Sequence, residues 1–410
     1  MNKPELLAPA KSLKILKVAV RYGANAVYIG GEAFGLRAKA DNFSNEEMDE
    51  GIKYAHERGV KVYVTANILA HNYDMVGAVK YFKELNELKP DGIIVADPGM
   101  FLLAKENCPS IDIHISTQAN NTNYETAKFW KMQGAARIVT ARELSLYEIK
   151  QLHEKVPDIE IETFVHGAMC MSYSGRCLLS SCLVGKDANR GECTHPCRWK
   201  YSLVEEKRPG EYFPVYENER GTYIMNSKDL CMIDHIDKLV DSGIFSFKIE
   251  GRMKTALYVA TVVRAYRNAI DDYLKSPEFY RKNINHYWDE IKSTTYRPFS
   301  TGFFFGKTTN KDQIYDNNTY INGGIYIGIA RENDGTYFDM TQKNKFSVGE
   351  TIEIMKPDGQ NIEAKVLEII GMHGESMPSA PHAKEKIKVK LSIMPEIGDV
   401  MRRMEKMLRR

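Results

Sequence analysis

The stretch KVYVTANILAHNYDMVGAVKYFKELNELKPDGIIVAD (residues 61–97) alternates an apolar run, a helical pattern and a second apolar run. Both apolar runs are rich in Val, Ile and Ala, the composition of strands that are buried on both faces of a parallel sheet. The helical pattern between them ends beside Pro90, a residue that cannot continue a helix. The stretch therefore predicts one β-α-β unit with parallel strands.

The same rhythm extends along most of the chain. Similar apolar runs occupy residues 5–10, 26–31, 61–69, 92–97, 112–119, 137–141, 159–169 and 245–253. A helical pattern follows each run except the seventh, which leads into a cysteine-rich segment. Eight such strands predict a TIM-type (β/α)8 barrel. An open, doubly wound sheet is the alternative, because a sequence shows neither strand order nor closure.

The pattern changes near residue 318, where short alternating strands are separated by turn sequences such as NDG (333–335) and PDG (357–359). This is typical of antiparallel strands joined by tight turns. We therefore predict two domains. Residues 1–317 form the barrel with a cysteine-rich insertion over about 166–200, and residues 318–410 form a small antiparallel β-barrel.

Composition limits the class of protein. The chain is 43% hydrophobic and 27% charged with a net charge of +2, which describes a folded protein without a compositional case for a polyanion partner. It has no secretory leader pattern and no run of about 18 apolar residues that could span a membrane. We expect a cytoplasmic protein, and clustered cysteines in that reducing compartment usually bind metal or take part in redox chemistry.

Five of the seven cysteines lie between residues 170 and 197, directly after the seventh predicted strand. The spacings are Cys170-x6-Cys177, Cys177-x15-Cys193 and Cys193-x3-Cys197. Structural zinc usually takes two tight hooks, and only the last pair forms one, whereas iron–sulfur clusters accept varied spacings. The residues themselves leave open a cluster, zinc, a catalytic thiol or inert thiols. The fifth cysteine, Cys182, lies in an apolar helix-like run where a buried thiol is ordinary.

In a TIM-type barrel the chemistry lies on the loops that follow the strands. Polar residues at predicted strand ends are Asn67, Asp97, Gln118, Thr140 and the group Lys248, Glu250 and Arg252. The candidates for catalysis are His166, Lys248, Glu250 and Arg252. Hydrolytic motifs are missing, because HERGV and HEKVP lack the second histidine of a zinc protease and no G-x-S-x-G elbow occurs.

Five segments resemble one known family along the whole chain. They are ELLAPA (5–10), HGAMCMSYSGRCLLS (166–180), NRGECTHPCRWKY (189–201), MNSKDL (225–230) and KIEGRMK (248–254). The chain is similar to family 32 of the unassigned peptidases, historically called collagenase-like. This resemblance implies an oxygen-sensitive 4Fe-4S cluster on Cys170, Cys177, Cys193 and Cys197, with zinc or an empty site in protein prepared in air.

The resemblance also implies an activity. Better-understood relatives take part in hydroxylation without molecular oxygen, and the compact C-terminal β domain favours the branch that converts the wobble uridine of tRNA to 5-hydroxyuridine, with prephenate implicated. The alternatives are hydroxylation of a ribosomal RNA cytidine or a ubiquinone precursor, a collagenase-like peptidase, and a zinc-stabilised RNA-binding module.

A tRNA anticodon loop and a small dicarboxylate metabolite are the partners that this activity implies. Aromatic side chains can stack on an unstacked base, and arginines can pair with phosphate or carboxylate groups. The substrate-binding candidates near the cysteines are Tyr173, Arg176, Arg190, Arg198 and Trp199.

Overall fold

The structure is a computed structural model. It describes residues 3–35, 42–170, 177, 179–199, 227–308 and 321–404, and the backbone alone of four short strands between residues 203 and 222. The side chains of Cys182, Asn189 and Arg198 are also outside the described part.

Eight parallel strands form a closed barrel. They are β1 (Glu5–Pro9), β2 (Ala26–Gly30), β3 (Lys61–Ala66), β4 (Gly92–Val95), β5 (Asp112–Ile115), β6 (Arg137–Val139), β7 (Glu160–Ala168) and β13 (Ser246–Ile249). Each pairs with its neighbour in this order, and β13 pairs with both β1 and β7. The pairing of the last strand with the first closes the sheet, which confirms the predicted (β/α)8 barrel over the open alternative.

Helices follow the strands as the hydrophobic pattern predicts. Those after the first six strands are α1 (Leu13–Arg21), α2 (Asn45–His56), α3 (Met75–Leu88), α4 (Pro98–Asn107), α5 (Tyr124–Gln133) and α6 (Leu146–Lys155). A further helix, α8 (Ile236–Asp241), precedes β13 and was not predicted. Ser44 begins α2 with a capping box, in which its hydroxyl accepts the Glu47 N–H and the Glu47 carboxylate accepts the Ser44 N–H. Within the described residues, no helix has both the length and the apolar composition needed to cross a bilayer.

The longest barrel strand, β7, continues beyond its barrel neighbours. Its last residues pair antiparallel with β12 (Asp229–Cys231), which pairs in parallel with β15 (Phe299–Ser300). Between β7 and β12 the cysteine-rich segment contains α7 (Leu179–Val184) and two turns of 3-10 helix (Ala188–Arg190 and Pro196–Arg198). Two backbone hairpins follow, formed by β8 (Leu203–Val204) with β9 (Tyr212–Phe213) and by β10 (Glu217–Asn218) with β11 (Gly221–Thr222).

The chain divides into two compact units. One comprises Met1–Leu16, Asn25–Met253 and Arg297–Tyr320, and the other comprises Lys17–Ala24, Lys254–Tyr296 and Ile321–Arg410. The second unit thus includes segments from three parts of the chain. The middle segment contains three helices, which group with the C-terminal strands. The predicted sequential boundary between residues 317 and 318 stays a prediction.

The second unit contains the predicted antiparallel β structure. Six of its strands form one sheet in the order β17-β24-β20-β21-β23-β18. Alternation is clear in β23, where Ile387, Val389 and Leu391 are buried and Lys386 and Lys388 are exposed. Its elements are α9 (Ala256–Lys275), α10 (Pro277–Lys282), α11 (Ile284–Lys292), β14 (Thr295–Tyr296), β16 (Ile321–Asn322), β17 (Gly324–Ile329), β18 (Phe338–Thr341), β19 (Phe346–Ser347), β20 (Thr351–Met355), β21 (Asn361–Ile370), β22 (Ser379–Ala380), β23 (Lys386–Leu391) and β24 (Val400–Met404).

Candidate functional site

A cavity of about 200 Å³ opens at the carboxyl end of the barrel strands. Its wall is built from residues in or just after successive strands, because the carboxyl ends of all parallel strands meet at this face. The volume lies below the usual range for ligand pockets, about 300–1,000 Å³. The polar residues that line it include Thr65, Asn67, Ser116, Thr117, Gln118, Arg142, Lys248, Glu250 and Arg252.

Four thiols line the same cavity, and they are the four that the resemblance names as cluster ligands: Cys170, Cys177, Cys193 and Cys197. None of them is in a disulfide. His195 also lines the cavity, with a left-handed backbone (φ 57°) that directs its N–H toward the Cys193 sulfur at 3.4 Å. No three His, Cys, Asp or Glu side chains of the described residues form a compact group of the kind that holds one metal ion.

Lys248 lies on β13, lines the cavity and is buried. Its Nζ donates to Glu162 Oε1 at 2.6 Å. The ammonium group also lies 4.6 Å from the centre of the Tyr28 ring and 5.3 Å from that of Phe164. Both rings line the cavity, so Lys248 presents a positive charge held between two aromatic walls.

Beneath Lys248, an ionic cluster fills the barrel interior. Arg137 donates to Glu5 Oε1 at 2.7 Å and to Glu162 Oε2 at 3.0 Å, and Tyr63 donates to Glu5 Oε2 at 2.7 Å. Burial favours the neutral form of Glu162, but Lys248 and Arg137 outweigh this and hold its pKa below the ordinary value. Burial likewise lowers the pKa of Arg137, and the carboxylates of Glu162 and Glu5 more than reverse it. These charged forms therefore stabilise one another.

Glu250 and Arg252 line the cavity next to Lys248, as their position after the eighth strand predicts. Arg252 donates to Thr65 Oγ1 and to Asn42 Oδ1, both at 2.9 Å. Glu250 lies 3.6 Å from a guanidinium nitrogen of Arg142, whose Nη1 also donates to the Ala168 carbonyl at 3.1 Å. The structure thus brings three of the four catalytic candidates to the cavity.

Close packing around Glu250 depends on Gly167. This glycine has φ 110°, and a Cβ added to it would lie 2.5 Å from the Glu250 carbonyl oxygen and 2.8 Å from the Glu250 Cβ. We predict that Gly167→Ala destabilises the protein by about 2–4 kcal/mol, because backbone strain of roughly 1–3 kcal/mol adds to this clash. Chemical denaturation of the purified variant measures the loss.

The matched control is Gly185→Ala. Gly185 also has a positive φ, 65°, but no atom of the described residues lies within 4 Å of its added Cβ. This variant should lose only about 1–2 kcal/mol of stability, the cost of placing alanine in the left-handed conformation. Equal losses in the two variants would contradict the claim that the contact with Glu250 requires glycine at 167.

Other predicted site residues lie away from the cavity lining. His166 is buried on β7, where its ring packs 5.7 Å from that of Phe299. Arg190 forms a bidentate ion pair with Asp74, at 2.9 and 3.0 Å, and the hydrogen bond to Asp74 is the main cause that raises the pKa of Arg190. Trp199 is 43% exposed. The substrate-binding roles of Arg190 and Trp199 stay predictions.

The remaining candidates cannot be placed. Tyr173 and Arg176 lie outside the described residues, as does the side chain of Arg198. Conversely, Arg142 and Ser116 line the cavity although our sequence analysis did not select them. Ser116 directly follows β5 and Arg142 comes three residues after β6, so the rule that chemistry lies after barrel strands could have found both.

The comparisons with known proteins agree with this architecture. The model of peptidase family U32 matches residues 11–314, and that of the U32 C-terminal domain matches residues 325–402. The chain belongs to peptidase family U32. This confirms the resemblance on which the cysteine assignment rests, while the assignment itself stays a prediction.

Relatives of this U32 protein carry names that refer to RNA hydroxylation. It is 40% identical to tRNA hydroxylation protein P1 of Bacillus subtilis (strain 168), over 98% of this chain and 95% of that protein. It is 38% identical to tRNA hydroxylation protein P of Escherichia coli (strain K12), over 93% and 92% of the two chains. A third relative, the 23S rRNA 5-hydroxycytidine C2501 synthase of the same organism, is 32% identical over 92% of this chain but only 55% of that protein.

Proposed function

We propose that this protein hydroxylates the wobble uridine of tRNA to 5-hydroxyuridine without molecular oxygen, in the cytoplasm. The observation that carries the proposal is the convergence of four thiols that form no disulfide on a small cavity at the barrel mouth. The names of the two relatives matched over nearly their whole length support tRNA as the substrate. The ribosomal RNA enzyme has a large part that this chain does not match, which favours tRNA over ribosomal RNA.

Cys170, Cys177, Cys193 and Cys197 would hold a 4Fe-4S cluster, which supplies one-electron redox chemistry when bound. The donor set fits, because four cysteine thiolates are the usual ligands of such a cluster. A single zinc ion binds thiolate at about 2.3 Å and so draws its four sulfurs to within about 4 Å of one another. A cluster and a single zinc ion both require the four sulfurs to converge, and the cavity that all four cysteines line supports such convergence.

The protein's own residues suit a nucleobase. A cavity of about 200 Å³ cannot admit a helix, so a base must leave its stack or be unstacked already, as in an anticodon loop. Tyr28 and Phe164 provide aromatic walls, and Lys248 provides a hydrogen-bond donor between them. The cationic side chains of Arg142 and Arg252 line the same wall and support a dicarboxylate co-substrate such as prephenate.

A strain that lacks the gene tests the proposal. Nucleosides from its digested tRNA should lack 5-hydroxyuridine and its derivatives, and the gene supplied on a plasmid should restore them. Unchanged tRNA together with loss of a modified cytidine from ribosomal RNA would favour the ribosomal alternative. Unchanged RNA of both kinds would overturn RNA hydroxylation and leave the ubiquinone, peptidase and RNA-binding alternatives to be tested.

A further inference from the structure

The polar wall of the cavity contains one acceptor with an unusual environment. Asn67 directly follows β3 and lines the cavity. Its amide nitrogen donates to Ser116 Oγ at 3.1 Å. Its carbonyl oxygen, Oδ1, is buried, and none of the described residues donates to it. A buried carbonyl without a donor costs free energy, so a ligand that brings an N–H to it recovers that cost.

The hydrogen bond to Ser116 determines which end of the amide is available. Ser116 Oγ also lies 3.3 Å from the Gln118 backbone N–H, so it accepts from a backbone donor as well as from Asn67. With its nitrogen engaged there, Asn67 offers the cavity an acceptor and not a donor. Lys248 offers the opposite character, since an ammonium group can only donate.

We propose that Asn67 is a specificity-determining residue that accepts the N3–H of a uracil base, while Lys248 donates to a ring oxo group. This inference rests on the proposed function. Uracil presents a donor at N3 between two oxo acceptors, which complements this pair of side chains. Cytosine presents an acceptor at N3 and an amine at C4, so it opposes Asn67 with an acceptor and Lys248 with a donor. The cavity therefore selects uracil over cytosine.

The test uses tRNA anticodon stem–loops that differ only in the wobble base. Their affinity for the anaerobically purified holoprotein is measured by fluorescence anisotropy, a readout that does not require turnover. Uridine should bind about 10-fold or more tightly than cytidine or 3-methyluridine, which lacks the N3–H. In Asn67→Ala the preference for uridine over 3-methyluridine should fall to less than about 3-fold, because the acceptor is gone.

Asn121→Ala is the matched control. Asn121 is also a buried asparagine whose Oδ1 receives no hydrogen bond from the described residues, but it lies outside the cavity lining and donates to the Ser116 and Val139 carbonyls. This variant should keep the wild-type preference for uridine. Asn67→Asp retains the acceptor and should also keep most of it.

The outcomes separate this inference from the proposed function. If the wild-type protein prefers uridine and Asn67→Ala retains that preference in full, the role of Asn67 is wrong and the proposed substrate stands. If Asn67→Ala weakens binding of all three stem–loops equally, Asn67 supports the structure of the site and the inference is again wrong. If wild-type protein binds no stem–loop and tRNA from the deletion strain is unchanged, the proposed function fails with it.

Discussion

Replacing Cys193 by alanine should remove the iron and abolish 5-hydroxyuridine formation. Three thiolates would remain at the cavity, one fewer than the four cysteines that usually hold a 4Fe-4S cluster. Wild-type protein purified without oxygen should be brown, with about four iron and four sulfide per chain. Iron and sulfide analysis with absorbance spectra measures this directly, and nucleoside analysis of tRNA from a strain carrying only the variant measures the activity.

Cys108→Ala provides the control for loss of a thiol. Cys108 is also free and is fully buried at the end of α4, where it donates to the Phe82 carbonyl at 2.8 Å. Burial raises its pKa to about 12, so it is a neutral thiol and a poor ligand. This variant should retain its iron and its activity. Full iron content in Cys193→Ala would refute the ligand assignment, and a colourless wild-type protein with one zinc would make the cysteine segment a structural zinc site.

The second large effect is expected on stability. Arg137→Met should destabilise the protein by about 3–5 kcal/mol, because it leaves the buried carboxylate of Glu5 without its cation and Glu162 with Lys248 alone. Arg137 is 1% exposed, and Glu5 and Glu162 are 8% and 0% exposed. Since the free energy of unfolding of a protein is only about 5–15 kcal/mol, much of this variant should be insoluble or unfolded. Denaturation midpoints of the soluble fraction give the loss.

The loss should also depend on pH. Burial favours the neutral form of Glu162, but Lys248 and Arg137 keep its pKa below the ordinary value. The ionised carboxylate therefore contributes to stability at neutral pH, and this contribution is lost as the pH falls below the ordinary pKa of Glu and through the lowered pKa of the folded state. A protonated carboxyl needs no cation, and the deficit of Arg137→Met relative to the wild type should therefore shrink in acid. A deficit that grows in acid would contradict this account of the cluster.

Arg58→Met is the matched control for this substitution. Arg58 is paired with Glu57 at 3.2 Å, but the two side chains are 45% and 70% exposed. An exposed pair contributes about 0–1 kcal/mol, so this variant should remain close to the wild type at every pH. Comparable losses in Arg58→Met and Arg137→Met would show that burial of the interior cluster is not the cause.

Much of the barrel was predictable because its signals are local. Each strand is a short apolar run, and the helix after it has its own start and stop residues, such as Ser44 at the start of α2. The rule that loops after the strands converge also placed Lys248, Glu250 and Arg252 at the cavity. His166 shows where the rule stops. The register between β13 and β7 shifts between Lys248 and Ile249, so that Lys248 pairs with Phe164 and Ile249 with His166. Phe164 lines the cavity, whereas His166 packs against Phe299.

The pairing of the charged residues inside the barrel could not be predicted from the sequence either. Glu5, Arg137 and Glu162 stand in three separate strand-like runs, and their positions in the sequence do not reveal that they meet. Such residues are compatible with a buried strand only when they pair, and pairing across 132 residues is decided by barrel closure. The environment of Asn67 belongs to the same class, because its amide nitrogen donates to Ser116, which follows a different strand.

The sequence by itself determined the eight barrel strands, the helices that follow seven of them, the antiparallel character of the C-terminal strands and the family to which the chain belongs. These depend on periodicity, turn residues and cysteine spacing, which are properties of neighbours along the chain. Only the tertiary structure decided the order and closure of the sheet, the pairing of the buried charges and the hydrogen bond between the Asn67 amide nitrogen and Ser116. Those features depend on distances between residues far apart in the chain, and hydrogen bonding and packing in the folded barrel determine them.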